Sequence, residues 1–221
     1  MKSNKAARQQ KAATGRFWAI AASAMPTLVT FAFLFWKGVS INWAYGAAAM
    51  LVTMLAAFLI GEGMTRLIKA NRKFSILCYI LTYAAIGVAP ALASVYAATC
   101  CLLWDILWIA APMGLVSAGI LRAKTARDIH TPSKCSSLMY GLEVFLPFAV
   151  VGVCSIIGIM PMHTIILFMT IPVAVALHRT MKRGVREGAG PLVDLDTRTV
   201  NFLLVASALL VVAFVAARFF F

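Results

Sequence analysis

Long apolar runs, separated by shorter charged segments, fill most of the chain. Seven of them approach the roughly 20 residues that an α-helix needs to cross the hydrocarbon core of a bilayer. They occupy residues 17–36, 41–62, 75–97, 100–121, 138–158, 161–179 and 199–218. None alternates polar and apolar residues with the period of two that is typical of a membrane β-barrel. Because a backbone in lipid must satisfy its own hydrogen bonds, the pattern predicts an all-α bundle of about seven transmembrane helices.

The composition supports the same class of protein. Hydrophobic residues make up 62% of the 221 positions and charged residues only 12%, whereas soluble domains are about half apolar and about a quarter charged. A water-soluble fold could not hide that much apolar surface. We therefore expect lipid to cover it.

The basic residues indicate how the bundle is oriented. Eighteen of the 20 lysines and arginines fall in the N-terminal tail or in the segments that follow the second, fourth and sixth runs, whereas the opposite side keeps only Lys37 and Arg218. Since short cytoplasmic segments carry the excess of positive charge in membrane proteins, the N-terminus is predicted to be cytoplasmic and the C-terminus outside. The net charge of +13 is therefore attributed to topology, and binding of nucleic acid is not expected.

The chain divides into a basic cytoplasmic tail, residues 1–16, and a single transmembrane domain, residues 17–221. The first apolar run is too long for the core of a cleavable signal peptide. No linker, low-complexity segment or short repeat is visible in the second part. Small residues near prolines in the third and fourth runs, among them Gly87 and Gly114, predict close helix packing there.

Acidic residues are few, and those inside apolar runs need a partner because an unpaired charge in hydrocarbon is costly. Glu143 lies among apolar neighbours in the fifth run, so we expect it to face an inward-facing cavity that it shares with Arg122 or Arg127. Glu62, at the end of the second run, would belong to the same cavity. A simpler alternative for Glu62 is an ion pair with Arg66, one turn along the same helix.

Other candidate chemistry is sparse. Asp105 lies between two tryptophans that resemble an aromatic belt, so it is interpreted as a structural residue near the outer interface. The histidines are scattered without partners at metal-ligand spacing, and the five cysteines form no Cys-x-x-Cys pair. The sequence also contains none of the short motifs of nucleotide-binding, phosphate-binding, metalloprotease or hydrolase sites.

Residues 111–131 read Ala-Pro-Met-Gly-Leu-Val-Ser-Ala-Gly-Ile-Leu-Arg-Ala-Lys-Thr-Ala-Arg-Asp-Ile-His-Thr. This stretch resembles the sixth-helix region of the UbiA-type aromatic prenyltransferases, nearest to the 1,4-dihydroxy-2-naphthoate prenyltransferases. The segments near Arg16, from Phe74 to Ala98 and from Gly190 onward are similar to that family in the same order. The resemblance therefore covers most of the chain.

In that family, two aspartate-rich cytoplasmic segments hold Mg²⁺ on a prenyl diphosphate, whose ionisation leads to alkylation of an aromatic ring. The resemblance implies prenyl transfer in quinone biosynthesis of the menaquinone type, with Mg²⁺ as the cofactor of an active form. It implies Glu62 and Asp128 as the metal ligands, although both motifs lack their other carboxylates here. The residues expected to meet the diphosphate or line the cavity are Glu62, Arg66, Lys69, Arg72, Lys73, Arg127, Asp128 and Glu143.

The lost carboxylates, together with seven predicted helices where the family has nine, favour weak or absent catalysis. The alternative is a non-catalytic protein that binds an isoprenoid, a quinone or another membrane lipid, or that serves as a subunit of a larger membrane complex. A solute transporter is less favoured because no inverted repeat is visible. In each case the predicted location is a membrane, and the resemblance points to the bacterial inner membrane.

The predicted orientation can be tested with the native cysteines. An impermeant thiol reagent should miss Cys135 in sealed cells and label it after permeabilisation, because Cys135 belongs to a predicted cytoplasmic segment. Cys100 and Cys101 lie next to a short outer segment and are expected to react from outside. Labelling of Cys135 in intact cells would overturn the orientation.

Overall fold

The computed structural model describes residues 24–70, 75–129, 132–188 and 190–220, and within these ranges the chain is almost entirely helical and contains no strand. The helices are α1 (Ala24–Trp36), α2 (Trp43–Ala70), α3 (Ser75–Thr82), α4 (Ala89–Thr99), α5 (Leu107–Ile129), α6 (Lys134–Ile156), α7 (Ile171–Glu187) and α8 (Leu195–Phe220). A π-helical turn, Tyr83–Val88, joins α3 to α4, and 3-10 turns at Trp104–Ile106, Met162–Thr170 and Gly190–Leu192 precede α5, α7 and α8. The predicted all-α fold is confirmed for this part of the chain.

Within the described residues, five continuous helical segments are long and apolar enough to cross a membrane. They run over Tyr79–Thr99, Trp104–Asp128, Lys134–Ile156, Met162–Glu187 and Gly190–Phe220. Two shorter apolar stretches are α1, Ala24–Trp36, and the first part of α2, Trp43–Ala57. Every apolar run of the sequence overlaps one of these helices.

Several helices continue past the apolar runs into the charged segments. Arg122 and Arg127 lie on α5, whereas the hydropathy pattern places them in a connecting segment. At the start of α6, the Ser133 hydroxyl caps the helix by accepting a hydrogen bond from the Ser136 amide at 3.1 Å. Hydropathy marks only the portion that lipid surrounds, while capping and backbone hydrogen bonds set where a helix ends. The predicted boundaries are therefore too short at these helix ends.

Outward faces of the bundle carry stripes of leucine. An exposed leucine recurs every four residues along part of α2 and along part of α6, which aligns these leucines on one face of each helix. The two stripes consist of Leu51, Leu55 and Leu59, and of Leu138, Leu142 and Leu146. Contiguous apolar surface of this kind is unfavourable in water and is the natural surface of a helix in lipid.

A close helix crossing joins the π-helical turn to α5. A Cβ atom on Gly87 would lie 2.2 Å from the Cα atom of Gly114, and one on Gly114 would lie 2.9 Å from the Cα atom of Gly87. The π-helical turn stands just before Pro90, which has no amide hydrogen and crowds the preceding turn, so a wider turn accommodates it. The close packing that the sequence predicts for these two glycines is confirmed.

Aromatic side chains fasten α1 to α8. The ring of Phe33 meets the ring of Phe214 edge-on with centroids 5.6 Å apart, and Trp36 lies 6.2 Å from the same ring. Phe33 and Phe214 are among the most deeply buried side chains of the described residues. The first and last helices are thus packed together, and the bundle is closed on this side.

Gly87→Ala should lower the thermal unfolding temperature of the detergent-solubilised protein, because the new methyl group would push the π-helical turn away from α5. Overpacking of this kind costs about 1–3 kcal/mol. Gly63→Ala is the matched control, since a Cβ atom on Gly63 in α2 would meet no described atom within 4 Å. Equal unfolding temperatures for the two variants would contradict the close crossing.

Candidate functional site

A buried ion pair links α5 to α6. The Nε atom of Arg122 donates to both carboxylate oxygens of Glu143 at 2.9 Å, and its Nη2 atom donates to Oε1 at 2.6 Å. Arg122 is 9% exposed and Glu143 is 7% exposed. The sequence left Arg122 and Arg127 open as partners of this carboxylate, and the structure selects Arg122.

The surrounding residues make room for this pair. Gly119 lies almost one turn before Arg122 on α5, and a Cβ atom there would stand 3.5 Å from the Cβ atom of Glu143 and 3.6 Å from its Oε2 atom. The planar guanidinium matches both carboxylate oxygens, which makes this a strong type of charge-assisted hydrogen bond. The pair therefore satisfies two charges that lipid could not hydrate.

Tyr79 of α3 contacts the arginine of the ion pair, and α2 packs close by. The Cζ atom of Arg122 lies over the Tyr79 ring, 3.9 Å from its centroid. Tyr79 of α3 and Met64 of α2 also pack against Leu121, the neighbour of Arg122 on α5. A desolvated cation–π contact of this type contributes up to about 2 kcal/mol. Arg122 thus contacts α3 and α6 directly, and α2 packs against its neighbour Leu121.

Tyr140, almost one turn before Glu143, extends the polar contacts to α8. Its hydroxyl lies 2.7 Å from the Oγ1 atom of Thr199, which donates to the carbonyl oxygen of Leu195 at 2.7 Å. Because the threonine hydrogen is used in that bond, the Tyr140 hydroxyl is the donor to Thr199. Tyr140 has no exposed surface. This buried chain of hydroxyl groups fixes α6 against α8 directly beside the ion pair.

A second charged cluster lies at the C-terminal end of α5. The Nε atom of Arg127 donates to Oδ1 of Asp128 at 3.2 Å, and its Nη1 atom donates to Oδ2 of Asp196 on α8. Asp196 lies in the first turn of α8, where the partial positive charge of the helix N-terminus favours an acidic side chain. Asp128 follows Arg122 by six positions, which is about 9 Å along the helix axis. The two charged groups therefore occupy different levels of the bundle.

The remaining predicted site residues belong to α2 and the segment after it. Arg66 is exposed on α2. Glu62 and Lys69 are part of the same helix, but the structure does not describe their side chains. Arg72 and Lys73 lie wholly outside the described residues. The alternative ion pair between Glu62 and Arg66 also falls outside them and stays a prediction.

The carboxylates that the structure describes do not combine into a Mg²⁺ site. No group of three or more acidic, histidine or cysteine side chains that could hold a metal ion occurs within the described ranges. Asp128 accepts a hydrogen bond from Arg127, and Glu143 is occupied by Arg122 at another level. Mg²⁺ needs several oxygen ligands in octahedral geometry. Asp128 and Glu143 do not fit one such site together, and the side chain of Glu62 is not among those described.

Three contacts of the site involve residues that the sequence pattern does not single out. Tyr79 and Thr199 are polar residues scattered in apolar runs and belong to no motif. Asp196 carries a readable signal, since an acidic residue in the first turn of a helix is favourable. Asp194, two positions earlier, is exposed and lines a groove of about 270 Å³ with residues of α7 and α8.

The chain was compared with protein families, curated proteins and solved structures. No protein-family model matches the chain, and no curated protein or solved structure matches it. The resemblance to the UbiA-type prenyltransferases therefore stays a prediction from the sequence.

Glu143→Ala should clearly lower the thermal stability of the purified protein in detergent, because Arg122 would keep a buried charge without its carboxylate. Loss of one partner of a buried ion pair costs about 3–5 kcal/mol. Asp105→Ala is the control, since the Asp105 side chain is 64% exposed in its 3.3 Å pair with Lys37, and a surface pair contributes about 0–1 kcal/mol. Small, equal losses in both variants would mean that water hydrates Glu143 freely.

Proposed function

We propose that this protein is a shortened, motif-poor relative of the UbiA-type prenyltransferases that binds an isoprenoid or quinone-like lipid between its helices with little or no prenyl transfer. The observation that carries the proposal is the buried Arg122–Glu143 pair. In this pair the most buried of the described carboxylates of the candidate site is neutralised by an arginine. It is therefore used to hold helices together and is not presented to a metal ion.

The surroundings of the pair suit a lipid with a polar ring or headgroup. Tyr79, Met64 and Leu121 supply an aromatic and apolar surface where α2, α3 and α5 meet. Arg66 is exposed on α2, two positions after Met64 and so on the other side of that helix, where it would be available to an anionic headgroup at the surface of the bundle. A ligand held here would contact the charged end of the bundle with its headgroup and lipid-facing helices with its chain.

The proposal includes seven membrane-spanning helices, a cytoplasmic N-terminus, an outer C-terminus and a location in the bacterial inner membrane. The uneven distribution of basic residues supports this orientation. So does the ion pair between Lys37 and Asp105. It joins one of the two basic residues that are expected outside to the acidic residue that is expected at the outer interface.

Mg²⁺-dependent prenyl transfer to an aromatic acceptor is the second candidate, and one contact favours it. Met64 of α2 packs against Leu121 of α5, so the helices that carry Glu62 and Asp128 are neighbours. These are the two positions at which the resemblance implies metal ligands. For catalysis, Asp128 would have to exchange its bond with Arg127 for a metal ion, and Arg127 would then be available to the diphosphate.

Purified full-length protein, given Mg²⁺, a radiolabelled prenyl diphosphate and aromatic acceptors, is expected to show little or no transfer. The reason is that a diphosphate leaving group requires divalent charge held by several carboxylates, and the described residues offer no such cluster.

Mass spectrometry of lipids extracted after mild purification should in contrast detect a bound isoprenoid or quinone. Asp128→Asn and Glu62→Gln test the catalytic alternative, and Asp105→Asn is the control.

Mg²⁺-dependent product that is lost in Asp128→Asn or Glu62→Gln, and kept in Asp105→Asn, would establish prenyl transfer and overturn the non-catalytic proposal. Product that survives all three substitutions would place the chemistry elsewhere and remove the residue assignments. Recovery of a stoichiometric membrane protein with no isoprenoid or quinone would favour a subunit of a larger complex.

A further inference from the structure

A groove of about 530 Å³ runs between α6 and α7, apart from the ion pair described above. The two helices are consecutive and antiparallel, so the start of α6 and the end of α7 lie at the same end of the bundle. Lys134 lines the groove from the first turn of α6, and Lys182 and Arg186 line it from the last turns of α7. Three cations therefore converge at one end of the groove.

This cluster of cations is not balanced by acidic residues. None of the described residues that line the groove is an aspartate or a glutamate. Within the described ranges, no hydrogen-bond or ion-pair partner is found for the side chains of Lys134, Lys182 and Arg186, and all three are exposed. Three adjacent positive charges repel one another, and an anion bound between them would offset that repulsion.

Two buried polar atoms lie in the same groove without a partner. The Ser137 hydroxyl and the Nδ1 atom of His178 make no hydrogen bond to any described residue, and Ser137 is only 5% exposed. Both residues line the groove. The His178 ring packs against Gly141, where an added Cβ atom would come within 2.8 Å of its Cε1 atom. A buried polar atom without a partner is costly, so these two atoms point to a polar ligand beside the cations.

The rest of the groove is apolar and has the length of a lipid chain segment. Leu138, Leu142 and Phe145 continue the α6 wall away from the charged end, and two of these residues, Leu138 and Leu142, are exposed on the outside of the bundle. The distance from Lys134 to Phe145 along α6 is roughly 16 Å at 1.5 Å per residue. The hydrocarbon core of a bilayer is about 30 Å thick, so the groove covers about one leaflet.

We propose that this groove binds an anionic phospholipid from the leaflet on the charged side, which is the cytoplasmic leaflet in the proposed orientation. The headgroup phosphate lies among Lys134, Lys182 and Arg186, and the Ser137 hydroxyl donates a hydrogen bond to a phosphate oxygen. One acyl chain follows the apolar wall toward Phe145. Charge complementarity selects an anionic headgroup, because a zwitterionic headgroup adds its own cation to the cluster.

The test is a titration of the full-length, delipidated protein in mild detergent with phosphatidylglycerol and, in parallel, with phosphatidylcholine, with occupancy read by native mass spectrometry. Lys182→Gln/Arg186→Gln should weaken phosphatidylglycerol binding about 30-fold, which corresponds to about 2 kcal/mol at 1.4 kcal/mol per factor of ten. Arg179→Gln/Arg183→Gln is the matched control. It removes the same charge from exposed positions of the same helix that do not line the groove.

In the control variant the affinity should stay within about threefold of the wild-type value, since neither side chain lines the groove and water screens exposed charges. Wild-type protein should bind phosphatidylcholine at least tenfold more weakly than phosphatidylglycerol, and millimolar inorganic phosphate should not compete. Equal binding of the two lipids, equal losses in the two double variants, or full competition by inorganic phosphate would overturn the proposal. None of these outcomes depends on Arg122, Glu143 or isoprenoid binding, so failure here leaves the proposed function to its own test.

Discussion

Lipid cannot hydrate a charge, and this constraint explains the arrangement around Arg122 and Glu143. Both side chains are almost fully buried between helices that are long and apolar enough to cross a membrane, and the guanidinium donates to both carboxylate oxygens. Gly119 leaves space for the carboxylate, and the Tyr79 ring covers the guanidinium. The positions of α3, α5 and α6 relative to one another therefore depend on keeping this pair together.

The rest of the bundle follows from a related constraint, namely that helices in lipid gain little from burying one apolar surface against another. Close packing and polar contacts must then fix helix positions. Gly87 and Gly114 allow the backbones of the π-helical turn and α5 to touch, and Tyr140 donates to Thr199 across the interface of α6 and α8. These contacts hold the helices on either side of the ion pair. Leucine stripes are left on the outside, where lipid is the solvent.

Hydropathy predicts the helices well because a spanning helix requires about 20 consecutive apolar residues, and such a run is a local property of the sequence. It predicts their ends less well. α5 and α6 extend into charged segments because backbone hydrogen bonds and the Ser133 cap do not depend on hydropathy. The sequence predicts a cationic partner for Glu143 because an unpaired charge is costly in an apolar run. Which arginine fills that role, Arg122 or Arg127, depends on how α5 and α6 pack.

Tyr79 and Asp196 contact residues that are far away in the sequence, so no local sequence pattern predicts these contacts. Tyr79 reaches Arg122 only because α3 crosses α5, and Asp196 reaches Arg127 only because the start of α8 meets the end of α5. The resemblance to the prenyltransferases drew attention to carboxylates as metal ligands. In the structure the described carboxylates of the site instead meet arginines.

The most direct measurement of the central claim is a double-mutant cycle on Arg122 and Glu143, with unfolding followed in the same detergent for the wild type, Arg122→Leu, Glu143→Leu and the double variant. Each single substitution leaves a buried charge alone and is expected to lower the free energy of unfolding by about 3–5 kcal/mol. The double variant leaves no charge, so its loss should be well below the sum of the two single losses. Losses that add to within about 0.5 kcal/mol would mean that the two side chains act independently and would contradict the role assigned to the pair.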